Sequence, residues 1–138
     1  MAAHSADELR QHAHDLARAF KVVLAEVAGM KHTPESALAV PVVSMVFVAP
    51  ITDETTYVVA LHELGHVVAP LGAIGGNDNL TREAEDAAWA WARHYALEWT
   101  PLMEHVATWA RQTYDAPLRR ADPPAPEAPI EPIDWETW

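Results

Sequence analysis

The segment ETTYVVALHELGHVVA constrains the fold more than any other part of the chain. Thr52, Asp53 and Glu54 offer an N-cap and an acidic first turn, which favour the start of an α-helix. Pro70 cannot continue a helix, so the pattern predicts one that ends at about Ala69. The apolar run YVVAL lies inside this span and leads directly into HELGH. The two histidines and the glutamate of HELGH therefore lie on a predicted helix.

His62 and His66 are four positions apart, so on a helix their rings project from one face and can bind a single ion. Glu63 is offset around the helix, where its carboxylate can reach a water bound to that ion and act as a base. The chain has no cysteine, which leaves histidine and carboxylate as the strong metal ligands, and the motif predicts one Zn²⁺ per chain. Gly65 costs about 1 kcal/mol of helix stability relative to Ala, which indicates a packing or functional reason for it. The alternative is two unrelated surface or core histidines.

A mononuclear zinc site needs a third protein ligand. The extension of the motif by a glycine and a third histidine is absent, because Ala69 and Gly72 occupy those positions. The next predicted helix offers Glu83 and Glu85 instead. We favour Glu85, which shares a face with an apolar stripe expected to pack on the motif helix, and keep Glu83, a candidate solvated first-turn carboxylate, as the alternative. The stripe consists of Ala88, Trp89 and Ala92.

A second pattern follows HELGH in this next helix, E-x-x-A-x-x-W-A, formed by Glu85, Ala88, Trp91 and Ala92. The combination resembles the ImmA/IrrE family of zinc metallopeptidases, in which an E-x-x-A-x-x-F-A helix supplies the third ligand. It is also similar to short phage-encoded metallopeptidase-like proteins, whose E-x-x-A-W-x-W-A form is matched by Trp89 and Trp91. The resemblance extends over roughly Val42 to Ala96.

This resemblance implies a minimal zincin-like fold, with a long first helix, a small sheet, the HExxH helix and a glutamate-bearing helix after it. It implies that His62, His66 and Glu85 bind the zinc and that Glu63 is the general base. We expect a cytoplasmic zinc metalloendopeptidase that hydrolyses an intracellular protein or peptide, in the host cytoplasm if the chain is phage-encoded. The substrate backbone is expected to extend the sheet beside a strand predicted at Val42 to Val48.

Two other functions are compatible with the same motif. The first is a catalytically idle zinc-fold binding module, which sequesters a host protein through its acidic surface or through a tail that carries Trp135 and Trp138. The second is a protein in which the zinc is purely structural. Replacing Glu63 by Gln separates hydrolysis from binding, because the change removes the base and retains the metal ligands.

The rest of the chain predicts an α+β fold that is mainly helical. Ser5 and Glu8 have the form of a capping box, and apolar residues then recur at helical spacing for about 23 residues. The β-branched run VVSMVFV is typical of a strand that is buried on both faces or covered on one. The predicted elements are a helix over Ser5 to Gly29, strands over Ala37 to Val40 and Val42 to Val48, and helices over Thr81 to Trp99 and Thr100 to Tyr114.

Length and composition indicate one domain, residues 1–116, followed by an acidic, proline-rich tail, 117–138, that is predicted to be disordered. The formal net charge of −11 would repel phosphate backbones and anionic lipids, so we expect neither nucleic acid nor a membrane as a partner. The longest apolar stretch, Ala39 to Ile51, is too short to span a bilayer. The N-terminal segment MAAHSADELRQHAHD lacks the features of a secretory signal.

The other histidines and the tryptophans have simpler interpretations. His12 and His14 are two positions apart on a helix and do not face each other, which argues against a second metal site. His94 and His105 are interpreted as partly exposed helix residues rather than donors to an oxyanion. Nothing basic surrounds the tryptophans that would support stacking on nucleic acid. Those at ten-residue spacing are interpreted as core residues, namely Trp89, Trp99 and Trp109.

Overall fold

The computed structural model describes residues 3–31, 36–69 and 82–119 of the chain. Within these ranges the architecture is mixed α+β and mainly helical, as the sequence predicts. None of the helices in these ranges is both long enough and apolar enough to cross a membrane. The elements in chain order are α1 (Ala6–Ala19), β1 (Val23–Glu26), β2 (Leu38–Val40), β3 (Met45–Val48), α2 (Glu54–Val68), α3 (Arg82–Tyr95) and α4 (Pro101–Arg119).

The first helix starts at the predicted capping box but ends well before the predicted Gly29. The Val22 amide donates to the Ala17 carbonyl at 2.8 Å. The Lys21 amide donates to the Arg18 carbonyl at 3.2 Å, which completes the two hydrogen bonds of a Schellman motif. Lys21 takes the left-handed conformation that this motif requires, with φ 59°. The prediction of a helix as far as Gly29 is wrong because a lysine, rather than the usual glycine, occupies the position that turns the chain.

The chain that leaves this turn forms β1, a strand in a segment whose apolar spacing predicts a continuation of the first helix. β1 pairs in parallel with β3, and β2 pairs antiparallel with the other edge of β3, which gives the order β1-β3-β2. β2 confirms the short strand predicted at Ala37 to Val40. β3 is shorter than the predicted Val42 to Val48, because Pro41–Val43 forms a 3-10 turn that ends at Ser44 in the left-handed region.

β3 therefore lies in the centre of the sheet. Val46 and Val48 are buried on the face that α2 covers, whereas Met45 and Phe47 are partly exposed. Within the described residues both edges of β3 are hydrogen-bonded to other strands. The expectation that a substrate extends the sheet beside this strand is wrong, because β3 has no free edge there.

α2 is the central helix of the protein. Its N-cap is Asp53, whose carboxylate accepts a hydrogen bond from the Thr56 amide at 2.8 Å, one residue later than the first candidate in the sequence. Every residue from Thr55 to His66 is buried. These residues are buried because α2 is surrounded by other elements. It is in contact with α1, β2, β3, α3 and α4. The HELGH segment is therefore enclosed by the rest of the fold.

α3 ends at Tyr95, earlier than the predicted Trp99. The Leu97 amide donates to the Tyr57 hydroxyl of α2 at 2.9 Å and not to a helical carbonyl. A tertiary contact thus ends the helix where the local sequence permits it to continue.

α4 begins at Pro101, as the Thr-Pro pair predicts, and the Met103 amide donates to the Thr100 hydroxyl at 3.2 Å. The helix continues to Arg119, beyond the predicted end at Tyr114. The helix includes Pro117, although proline has no amide proton to donate to the carbonyl four residues earlier. The predicted start of the third helix at Thr81 and the tail segment with Trp135 and Trp138 lie outside the described residues.

Candidate metal centre

α2 carries three polar side chains into the core of the protein. His62, Glu63 and His66 are only 5, 6 and 4% exposed, respectively. Such burial is rare for these residue types unless they are paired or bind a metal. One potential ligand atom from each of the three lies within 4.8 Å of the other two. The structure therefore brings together the three residues that the HELGH motif indicates.

Glu85 on α3 contacts both histidines. Its Oε1 lies 2.8 Å from Nε2 of His62, and its Oε2 lies 2.9 Å from Nε2 of His66. The two Nε2 atoms are 3.1 Å apart. Two ring nitrogens from one helix and the two oxygens of a carboxylate from the next thus form a compact group of four potential ligand atoms.

Glu83, the alternative third ligand, is exposed at the start of α3. The face of α3 that carries Glu85 continues through Ala88 and Ala92, which are fully buried. The apolar stripe thus orients Glu85 toward α2, as the spacing of its residues predicts. Metal binding by Glu85 itself stays a prediction.

The close approach of α2 and α3 depends on Gly65. A Cβ atom at this position would lie 2.5 Å from the carbonyl oxygen and 2.9 Å from the Cα of Ala88. Both are backbone atoms of a helix, which cannot move aside as a flexible side chain does. The glycine between the two histidines therefore has a packing reason, as its helix cost predicts, and this contact sets how far Glu85 reaches.

The charges at this centre shift the pKa values of its acids and bases. Burial raises the pKa of Glu85, but hydrogen bonds from His62 and His66 outweigh it and hold that pKa well below its ordinary value. Burial alone would lower the pKa of His62, yet the bond to Glu85 and the nearby carboxylate charges raise it. Burial raises the pKa of Glu63, while the two histidines act in the opposite direction. The Glu85 carboxylate is therefore ionised and accepts hydrogen bonds only.

The polar contacts of this centre are compatible with hydrogen bonds and with a shared cation. Each Nε2 atom carries either one proton or one lone pair. In a hydrogen-bonded arrangement, the Nε2 atoms of His62 and His66 each donate to a different oxygen of Glu85, at 2.8 and 2.9 Å. In a metal-bound arrangement, each Nε2 atom and the carboxylate would instead direct a lone pair at one ion. The donor set is therefore one that a metal ion could use.

The separations in this group are close to those around a zinc ion. Zinc bonds of about 2.05 Å that meet at the tetrahedral angle place ligand atoms about 3.3 Å from one another. The two Nε2 atoms are 3.1 Å apart, and they lie 2.8 and 2.9 Å from different oxygens of Glu85. Binding of one ion through a single Glu85 oxygen would therefore require this side chain to rotate. His62, His66 and Glu85 are the residues that could hold a metal, with Glu63 beside them.

Trp89, interpreted from the sequence as a core residue, is 3% exposed and also contacts this centre. Its indole stacks on the ring of His62, with the ring centroids 4.0 Å apart and the ring planes inclined by 14°. A signal for this contact was present in the sequence, since Trp89 follows Glu85 by four positions and so shares its helical face. The sequence does not show which ring the indole meets.

The other histidines singled out in the sequence lie in different surroundings. Nδ1 of His12 is 2.7 Å from the Tyr57 hydroxyl, and Nε2 of His14 is 2.7 Å from the Glu26 carboxylate. His94 is exposed and its ring packs edge-on against Tyr95. The contacts of His12 and His14 link α1 to α2 and to β1, whereas that of His94 lies within α3, and none of them involves His62, His66 or Glu85.

Comparison with known proteins gives no match: no family model, no curated protein and no solved structure is significantly similar to this chain. The resemblance to the ImmA/IrrE motifs therefore stays a prediction, and the function has to be inferred from the geometry of the centre.

Proposed function

We propose that the protein is a zinc-dependent peptidase in which His62, His66 and Glu85 hold one Zn²⁺ and Glu63 is the general base. The observation that carries the proposal is the convergence of both Nε2 atoms and the Glu85 carboxylate inside the core, with contacts of 2.8 to 3.1 Å. Glu63 supports the catalytic part of the proposal, because it belongs to the same buried group and its carboxylate is not part of the contacts between Glu85 and the two histidines.

Zinc supplies a Lewis acid that polarises a carbonyl group and makes water more acidic. The residues of this chain divide the remaining work. Glu63 would take a proton from the attacking water and return it to the leaving nitrogen, so that one carboxylate serves first as base and then as acid. Glu85 would supply the third ligand from α3, beside the two imidazoles that α2 supplies.

The proposal includes a minimal zincin-like architecture and kinship with the ImmA/IrrE family. The packing of α2 between a small sheet and the glutamate-bearing α3 supports this. It also includes a cytoplasmic site of action, with which a chain that has no cysteine is compatible.

An extended substrate would pair with β2 in this proposal. Within the described residues β2 has only β3 as a neighbour, so its other edge is open, and it also contacts α2. Leu38 on β2 is 54% exposed and offers an apolar contact to a side chain of the substrate. Backbone pairing of this kind gives affinity without a strict sequence requirement.

The metal part of the proposal is tested by a matched pair, Glu85→Gln and Glu83→Gln. Both changes replace one carboxylate oxygen by nitrogen, two residues apart on α3. We expect one zinc per chain in the wild type and in Glu83→Gln. In Glu85→Gln we expect a loss of zinc affinity beyond the roughly 10–100-fold that follows from losing a group that only supports a ligand. Equal zinc binding by the two variants would contradict the ligand assignment.

The catalytic part is tested with Glu63→Gln and a quenched-fluorescence library of random peptides. We expect zinc-dependent cleavage by the wild type, and no cleavage by Glu63→Gln, which should still bind one zinc per chain. Cleavage that survives in Glu63→Gln would contradict the role of Glu63. A wild type that holds zinc but cleaves no peptide would instead favour the binding module.

A further inference from the structure

We propose that Trp89 is a positioning residue that holds the ring of His62 in the orientation needed to bind the metal; this inference rests on the proposed function. The indole and the imidazole lie face to face, with centroids 4.0 Å apart and planes inclined by only 14°. Both side chains are almost fully buried, so neither ring leaves the contact without disturbing the core. The packing of the core therefore holds the two rings in this contact.

His62 lacks the usual restraint on a metal-binding histidine. Such a ring normally donates its second N–H to a carboxylate or a carbonyl, which fixes its rotation. Nδ1 of His62 is buried and has no hydrogen-bond partner among the residues that the structure describes. The torsion about the Cβ–Cγ bond of histidine is soft, so a ring without this bond can turn its Nε2 away from the ion. The flat face of Trp89 opposes that rotation.

The position of Trp89 on α3 makes this restraint part of the same element that supplies Glu85. The two residues are one helical turn apart, so α3 carries both the Glu85 ligand and the indole that packs against the ring of His62. The ring of His62 in turn meets that of His66 edge-on, with centroids 4.6 Å apart. Restraining His62 therefore also limits the rotation of His66.

The indole face adds an electrostatic component. Its negative potential attracts positive charge, and an imidazole becomes more positive when a metal draws electron density from it. A leucine fills much of the same space but presents no aromatic face. A phenylalanine keeps a smaller aromatic face. The two replacements therefore separate the loss of the stack from the loss of packing volume.

The test compares Trp89→Leu and Trp89→Phe with the control Trp91→Leu. Trp91 lies on the same helix and is 8% exposed, but its ring packs against Phe20 and Tyr95. Three quantities are measured: zinc affinity by competition with a chromophoric chelator, the visible spectrum of the Co²⁺-loaded protein, and the urea midpoint of the metal-free protein.

We expect Trp89→Leu to bind zinc about 10–100-fold more weakly and to show an altered Co²⁺ spectrum. Trp89→Phe should recover most of the affinity and the wild-type spectrum. Trp91→Leu should lower the urea midpoint comparably but bind zinc like the wild type. If Trp89→Leu does not fold, the same three quantities are measured for Trp89→Met, because the flexible methionine side chain adapts better to irregular space. The expected results are those given for Trp89→Leu.

Two results would contradict the role of Trp89 and leave the proposed function standing. They are a wild-type zinc affinity and Co²⁺ spectrum in Trp89→Leu, or an equal loss of zinc affinity in Trp91→Leu. A wild-type protein that binds neither zinc nor cobalt would overturn the proposed function, and the positioning role of Trp89 with it. The wild-type titration therefore distinguishes the two kinds of failure.

Discussion

Gly65 shows how a single residue sets the geometry of the centre. In an exposed helix, alanine is more stabilising than glycine by about 1 kcal/mol, so Gly65→Ala would ordinarily strengthen α2. Here the added Cβ would lie 2.5 Å from the backbone oxygen of Ala88. Overpacking of a tightly packed site typically costs about 1–3 kcal/mol, which exceeds the gain in helix propensity. The net effect of the substitution is therefore expected to be unfavourable.

We predict that Gly65→Ala lowers the free energy of unfolding by roughly 1–2 kcal/mol and weakens zinc binding, because α3 must move away and withdraw Glu85. Chemical denaturation and a zinc titration measure the two effects. A more stable Gly65→Ala with wild-type zinc affinity would contradict the prediction.

Gly29→Ala is the control for this substitution. Gly29 has φ 86°, and no atom of the described residues lies within 4 Å of the position that a Cβ would take, so the change strains the backbone only. It should cost about 1–2 kcal/mol and leave zinc affinity unchanged.

At the scale of the elements, local signals predicted the helix starts better than the helix ends. The capping box of α1 and the Thr-Pro start of α4 are encoded within a few residues, and both are observed. β1 was missed because Leu24 and Val27 continue the helical spacing of α1. Pairing with the distant β3 and the left-handed Lys21 decide its conformation instead. Neither factor leaves a local sequence signal.

The sequence predicted some contacts of the candidate centre and not others. His62 and His66 follow from spacing on a helix whose start and end are both signalled locally, and Glu85 follows from the apolar stripe on α3. The stack of Trp89 on His62 was not predictable, because it depends on the distance and rotation between two helices. That distance depends on Gly65, whose importance the sequence indicated without naming its neighbour.

Tyr57 joins three elements through one hydroxyl group. The hydroxyl accepts from the Leu97 amide at 2.9 Å and lies 2.7 Å from Nδ1 of His12. Burial raises the pKa of Tyr57 to about 12, so the hydroxyl keeps its proton and can donate it to His12. α1, α2 and the segment after α3 thus meet at a single buried oxygen.

We predict that Tyr57→Phe lowers the free energy of unfolding by roughly 1–3 kcal/mol, because the Leu97 amide and His12 both lose their partner in a buried place. Urea denaturation of the metal-free protein measures the change. Tyr95→Phe is the matched control, since Tyr95 is 37% exposed, and should stay within about 0.5 kcal/mol of the wild type. Equal stability of the two variants would show that the hydroxyl of Tyr57 does not link these elements.

At the scale of the whole molecule, Glu26 ties the sheet to two other parts of the fold. Its carboxylate accepts from Arg10 at 2.8 Å and contacts His14 at 2.7 Å, both on α1. It also accepts from the Ile51 amide, just before α2, at 2.8 Å. Burial raises the pKa of Glu26, but the Ile51 amide, His14 and Arg10 outweigh it and lower the pKa below its ordinary 4.5.

A lowered pKa makes this carboxylate a source of acid sensitivity. The unfolded chain binds a proton at Glu26 more readily than the folded chain does, so the stabilisation is complete above the ordinary pKa of 4.5. It is lost as the pH falls through the lower pKa of the folded state. We predict that Glu26→Gln is less stable than the wild type at neutral pH and that this difference shrinks on acidification below 4.5.

Urea denaturation over a pH series, with chelator present throughout, measures this difference without interference from metal loss. Glu83→Gln serves as the control, because Glu83 is exposed, and its stability should follow that of the wild type at every pH. A gap between Glu26→Gln and the wild type that stays constant, or widens, toward acid pH would rule out the role assigned to Glu26.

The strand order β1-β3-β2 in the sheet differs from the order in which the strands are synthesised. β3 is the central strand, yet it is the last of the three to leave the ribosome, so β1 and β2 emerge without the neighbour that they pair with. The parallel pair cannot form until Met45, the partner of Val23, has been synthesised. Pairings between residues that are distant in the sequence also form slowly. Glu85 emerges later still, after the whole of α2. The strands and the histidine-bearing helix are therefore all synthesised before the carboxylate that contacts both histidines.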